Sequence, residues 1–236
     1  MMKLYNLIFL LLPLWASGQT VDIEADILNK GIAEKRWDVS GIQERAKLWK
    51  QERGNYPIIP YDTATKRVVF QQIIKFPGIS KVQAFKRCKE WAAFEFNKLD
   101  AVIEYEDVES GKLILEGYVN IPYTGSFKNM WGNIKSVPTS SDLYFSLMIT
   151  VMDGRAKISY HKLRFHSFVP GYVIGAIYVP SETISNSFES LFPIVDHDFA
   201  AWSGIFDAVR NSLLEINSTG PALEKYVRAL ESDYRF

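Results

Sequence analysis

The stretch Leu143–Phe165 constrains this chain more than any other. Asp153-Gly154 divides it into two runs, Leu143–Met152 and Arg155–Phe165, in which apolar and polar residues alternate. A two-residue Asp-Gly turn between alternating runs is the strongest short-range hairpin signal. A hairpin with one apolar face must bury that face, so the chain needs more strands and a covering layer.

The neighbouring patterns supply both. From Lys66, residues Val68, Phe70, Gln72, Ile74 and Phe76 alternate with Val69, Gln71, Ile73 and Lys75, a strand that Pro77-Gly78 stops. Ser80 then caps a helix to about Asn97, with Val82, Phe85, Cys88 and Ala92 at helical spacing. A second hairpin, Ala101–Asp107 with Lys112–Ile121, turns at Glu109-Ser110-Gly111. Asp196 or Asp198 caps a long helix on which Phe199, Trp202, Phe206, Val209, Leu213 and Ile216 form a core-facing stripe. Ser218-Thr219-Gly220-Pro221 is expected to break it, leaving a short helix over 222–233. The predicted architecture is α+β: a five-stranded antiparallel sheet in the order 1-5-4-3-2, with both helices side by side on one face.

The ends and connections complete the plan. Residues 1–18 read as a secretory signal peptide: Lys3, the apolar run Leu7–Trp15, then the small residues Ala16-Ser17-Gly18 before a cut at Gln19. The protein is therefore expected to be exported, to the periplasm or beyond, and no later stretch is long and apolar enough to span a bilayer. Residues 19–56 read as a helical N-terminal extension, with Ser40 capping Gly41–Arg53, and Gly54–Asp62 as a linker. The α+β domain takes 57–236, with long loops at 122–141 and 167–195.

These residues resemble a secreted bacterial family. Pro60-Tyr61-Asp62, Phe70–Gly78, Phe85, Lys89-Glu90-Trp91, the Asp107–Gly111 hairpin and Asp153-Gly154-Arg155 are similar to domain-of-unknown-function family 4468, described as having a TATA-box-binding-protein-like (TBP-like) fold. The resemblance covers about 57–166 well and the C-terminal helix loosely. It implies a fold and brings no activity. The sequence departs from the family pattern at Phe85, where Tyr is usual, and at Ala156-Lys157, where an aromatic and an Arg are usual.

Composition narrows the chemistry. Lys+Arg and Asp+Glu balance at 27 each, which removes the general attraction to phosphate that nucleic-acid binders use. Cys88 is the single cysteine, so no intramolecular disulfide forms, and its place on the helix stripe makes it a small apolar residue. No G-x-S-x-G elbow or phosphate loop occurs. Asp196-His197-Asp198 reads as helix capping, and His161 and His166 lie five apart, on opposite faces of an unbroken strand. A phase slip near His161 marks a β-bulge at His161–Lys162. No metal or cofactor is implied.

Two readings of function follow. In the first, the protein is a non-catalytic envelope module. Tyr118, Tyr144, Met148, Met152, His161 and the loop residue Trp131 form a surface for a partner protein, a peptide or a small apolar ligand. In the second, it is a hydrolase: a three-residue turn at Glu109–Gly111 sets Glu104 opposite Glu116 on the solvent face, a carboxylate pair suited to acid/base work with His161.

Overall fold

The computed structural model describes residues 20–36, 41–44, 47–48, 51, 58–96, 102–128, 133–169, 172–174, 177–194 and 199–229. Residues 1–18, Ser40 and Asp196-His197-Asp198 lie outside the described residues. The main sheet is antiparallel. Phe70–Lys75 (β4) pairs with Arg155–Val169 (β8). That strand pairs with Ile134–Met152 (β7), then Lys112–Lys128 (β6), then Val102–Asp107 (β5). This is the expected order of five strands. A sixth is added: Glu182–Ser187 (β11) pairs with the second half of β8, Ser187 opposite Arg164 and Glu182 opposite Val169.

The inward face carries Phe70, Ile74, Leu113, Leu115, Leu143, Leu147, Ile149, Ile158 and Tyr160, all buried. The Lys81–Phe96 helix and the Phe199–Arg228 helix pack together against it. Ala84, Phe85, Cys88, Trp91, Ala92 and Phe96 line the first helix's contact, and Phe96 meets Phe145 edge-on at 5.9 Å. Val82, placed on the stripe by its spacing, instead faces solvent in the first turn.

Where the sequence reading fails, the reasons are tertiary. Ser218–Pro221 does not break the C-terminal helix, which runs through Pro221 to Arg228. Pro221 has no N–H for the carbonyl of Asn217. The helix is held there from outside: the Gln72 side chain of β4 donates to the Ile216 carbonyl at 2.9 Å. Nor is 122–141 a loop. β6 and β7 stay paired through Lys128 and Ile134 as a long ribbon. Pro122 and Pro138 fit because neither β5 nor β8 flanks that part, so their missing N–H groups break no sheet. The first turns of the C-terminal helix lie on this ribbon, with Gly204 close to the Thr124 carbonyl and Gly125.

Residues 167–195 also hold structure: Tyr172–Ile174 (β9) pairs with Ile177–Val179 (β10), β11 follows, and a 3₁₀ turn spans Phe188–Leu191. Phe188 is fully buried between Phe70 and Phe165. At the N-terminus, Thr20–Asp22 (β1) pairs with Pro60–Asp62 (β2), which pairs with Arg67–Val68 (β3). So 20–22 is strand rather than helix, and 60–62 is strand rather than linker. The Ile23–Ala33 helix follows, with Asp22 accepting from the Glu24 amide at its start.

Candidate functional site

The turn residues among those that carry the family resemblance converge on one corner of the molecule. The Phe76 amide donates to the Gly154 carbonyl at 2.8 Å, and the Gly154 amide to the Ile79 carbonyl at 3.1 Å. Asp153 accepts from the first amide of the 81–96 helix at 2.7 Å, and the Lys81 ammonium donates to the Glu109 carbonyl in the other hairpin turn. The Val151 amide donates to the Gly111 carbonyl at 2.7 Å. Pro77-Gly78, Asp107–Gly111 and Asp153-Gly154 thus join one helix start to two hairpin turns. They organise the fold and expose no reactive group. Of the departures from the family pattern, Phe85 and Ala156 are buried in packing positions, whereas Lys157 is half-exposed.

The helices leave the other face of the sheet open. At its centre lies a basin of about 540 Å³ lined by Arg67, Val68, Glu104, Ile114, Glu116, Ser146, Met148, His161 and Lys162. A bulge builds it. Ser146 stands opposite His161 and Tyr144 opposite Arg164, so Lys162 and Leu163 together oppose Phe145. Lys162 takes φ 54, the left-handed region that usually falls to glycine. The sequence places a bulge at His161–Lys162; it is present one residue further on, at Lys162–Leu163. It returns Leu163 and Phe165 to the core and brings His166 onto the same face as His161, not the opposite one.

The bulge also marks a change of neighbour. β4 pairs with β8 as far as Tyr160, and β11 takes over at Arg164. Residues 161–163 pair with neither. Val68 and the 3₁₀ turn fill part of that gap, where the Val68 amide donates to Glu189 Oε1 at 2.9 Å. Arg67 stands 3.9 Å from Glu189 Oε2.

The carboxylate pair is corrected by the register. Asp107 pairs with Lys112 across a four-residue turn, and β5 bulges between Ile103 and Tyr105. Val102, not Glu104, stands opposite Glu116. The same slip carries Tyr105 to the open face and turns Glu106 to the helix side, where it pairs with Lys89 at 2.5 Å. Glu104 and Glu116 still share the basin, but Glu116 accepts from Lys162 at 2.9 Å. Across the sheet the order is Glu116, Ser146, His161. The serine separates acid from imidazole, so Glu116 is not placed to orient His161 towards Ser146.

His161 Nε2 is buried and has no hydrogen-bond partner, as is Ser159 Oγ two residues earlier on the same face. Burial, then the charges of Lys157, Lys112 and Lys162, hold the His161 imidazole below its ordinary pKa of 6.5. Beside the basin, Tyr118 and Tyr144 stack at 5.0 Å, and Tyr144 lies 4.2 Å from the His166 ring, which hydrogen-bonds Ser185. Met148 lines the basin, whereas Met152 is exposed at the far end of β7 beside the hairpin turn. Trp131 lies outside the described residues. Of the proposed surface, then, the structure gathers Tyr118, Tyr144, Met148 and His161. Sequence reasoning missed Arg67, Ile114, Ser146 and Ser159. The phase slip at His161 was the signal nearest to them.

Among the described residues, no cluster of His, Cys, Asp and Glu is arranged to hold a metal ion. No described helix is long and apolar enough to cross a membrane.

An antiparallel sheet with helices on one face and the other face open defines an α+β protein of the TBP-like class. Residues 70–166 match the family model described as a domain of unknown function (DUF4468) with TBP-like fold. A solved DUF4468 family protein from Bacteroides ovatus ATCC 8483 is similar over 75% of this chain and 94% of its own, at 16% identity and a TM-score of 0.51. A TBP-like protein from Parabacteroides distasonis ATCC 8503 is similar over 66% of this chain and 93% of its own, at 14% identity and a TM-score of 0.40. At such identities the first likeness speaks for the fold alone. No curated protein matches the chain.

Proposed function

We propose that the protein is a non-catalytic interaction module of the cell envelope, exported by removal of residues 1–18. Its open sheet face binds a partner protein, a peptide or a small apolar ligand. The observation that carries this reading is the basin of about 540 Å³ at the bulge, beside the stacked Tyr118, Tyr144 and His166. Its volume falls in the range of about 300–1,000 Å³ usual for ligand sites. It combines apolar walls with a few converging polar groups, as binding sites do.

The export proposal rests on the tripartite pattern of 1–18. Protein isolated from its own host should begin at Gln19. An intact Met1 on cytosolic protein would refute export.

Pull-down from envelope extract tests the binding reading. The chain without its leader should retain a partner that Tyr144→Ala loses and Glu116→Gln keeps. The rival hydrolase reading draws on Glu104, Glu116 and His161 lining one basin. It requires the opposite pattern, a turnover that Glu116→Gln abolishes. If nothing is retained, the binding reading fails.

A further inference from the structure

We propose that the basin at the β8 bulge takes a monocarboxylate with an apolar body, its head group received by His161 and Ser159 and its body laid on Ile114, Met148 and Val68. This rests on the binding reading and names the ligand class.

Three independent features of the site point to it. The first is the pair of orphaned groups. His161 Nε2 and Ser159 Oγ are both buried, both without a hydrogen-bond partner, and two residues apart on one face of β8. Both can donate, and a buried donor left unmet is costly to the folded protein. A carboxylate with two acceptor oxygens answers both. Met148 stands opposite Ser159 and lines the basin, and its unbranched thioether chain can shift to admit a head group.

The second is charge. Lys157, Lys112 and Lys162 all act on the His161 imidazole, and Arg67, which lines the same basin, is ion-paired at 3.9 Å with Glu189 Oε2, a buried oxygen with no hydrogen-bond partner. Glu104 and Glu116 occupy the β5–β6 side, where Lys162 already engages Glu116. The β8 side therefore suits an anion, and the acidic side disfavours a second negative charge on the ligand.

The third is the wall. Ile114, Met148 and Val68 give the basin apolar surface next to the polar end. An inorganic anion would leave that surface unused. An aliphatic carboxylate covers it.

The test is histidine-labelled NMR of the chain without its leader, titrated with sodium octanoate, octylamine or octanol. The His161 ring signal is assigned by its loss in His161→Gln. Octanoate should shift it saturably in the millimolar range and raise the pH at which the imidazole titrates, because a bound anion favours the charged ring. Octylamine and octanol should bind at least about tenfold more weakly. Arg67→Met removes an exposed side chain together with its ion pair to Glu189, so its thermal midpoint is measured beside its affinity. It should weaken octanoate about fivefold, as loss of one steering charge does. Ser159→Ala should weaken it independently.

Equal binding of octanol, preference for octylamine, or no saturable shift would overturn the proposal. The two readings fail separately. Partner capture that depends on Tyr144 while octanoate is silent removes only the carboxylate. Octanoate binding with no captured partner removes the protein-partner reading and keeps the ligand.

Discussion

Gly111 and Gly78 both hold positive φ, 73° and 85°, yet they should not tolerate alanine equally. A Cβ on Gly111 would sit 2.3 Å from the Val151 carbonyl oxygen, while one on Gly78 meets nothing within 4 Å. Gly78→Ala carries only the left-handed backbone cost, about 1–2 kcal/mol. Gly111→Ala adds a clash with backbone that cannot move aside, so its loss should reach about 3 kcal/mol or more. Urea unfolding of both variants should give that order.

Cys88, fully buried, has its thiol pushed by burial from 9.0 up to about 12. It should stay inert to thiol reagents in the native protein and react only as fast as the chain opens. His161 supplies a pH signature of the opposite sense. Its folded pKa lies below the ordinary 6.5, through burial and then Lys157, Lys112 and Lys162, while Glu104, Glu116 and Arg67 share its basin. The unfolded chain therefore binds the proton first on acidification, and stability present above about pH 6.5 is lost as pH falls below it. Unfolding midpoints at pH 7.5 and 5.5 should differ less in His161→Gln than in the parent protein.

At the scale of elements, the C-terminal helix offers the sharpest test. It continues through Pro221 with Gln72 donating to the Ile216 carbonyl, and Gly220 packs against that same glutamine. Gln72→Ala should cost about 1 kcal/mol. Pro221→Ala would give the Asn217 carbonyl a helical donor but leaves the Ile216 carbonyl that Gln72 serves unchanged, so the two substitutions act on different acceptors. A double-mutant cycle should therefore give nearly additive effects, with a coupling below about 0.5 kcal/mol.

Legibility varied among elements for a physical reason. Strands with strict alternation, the Asp153-Gly154 turn and the Ser80 cap were readable, since each depends on neighbours within a few residues. The Gln83 amide donates to Ser80 Oγ as such a cap requires. The continuation past Pro221 was not readable, because its support comes from β4. The paired stretches 122–128 and 134–141 hid behind Pro122 and Pro138, whose acceptability depends on which strands stand alongside. The β5 bulge at Glu104 is a matter of register, and a single slip moved Tyr105 and Glu106 to exchanged faces.

For the whole molecule, the N-terminal segment offers a clear test. Ile23 is fully buried, its amide donates to the Ile59 carbonyl at 3.2 Å, and Glu24 accepts from the buried Ile194 amide at 2.9 Å. Removing residues before 58 strips β1 from β2 and leaves the Ile194 donor unmet. Stability should fall by on the order of 3 kcal/mol or more, combining lost apolar burial with an orphaned polar group. An unchanged thermal midpoint would make 19–56 a dispensable appendage.

By itself the sequence determined the α+β class, the order of five strands and the common face of the two helices, because apolar periodicity dictates what each element must bury. Only the tertiary structure decided the sixth strand, the uninterrupted last helix and the basin. Those features depend on contacts between residues far apart in the chain: Gln72 with Ile216, β11 with the second half of β8, and Glu116, Ser146 and His161 drawn into one row. Local pattern carries no information about which distant groups will meet, and the candidate site is made of such meetings.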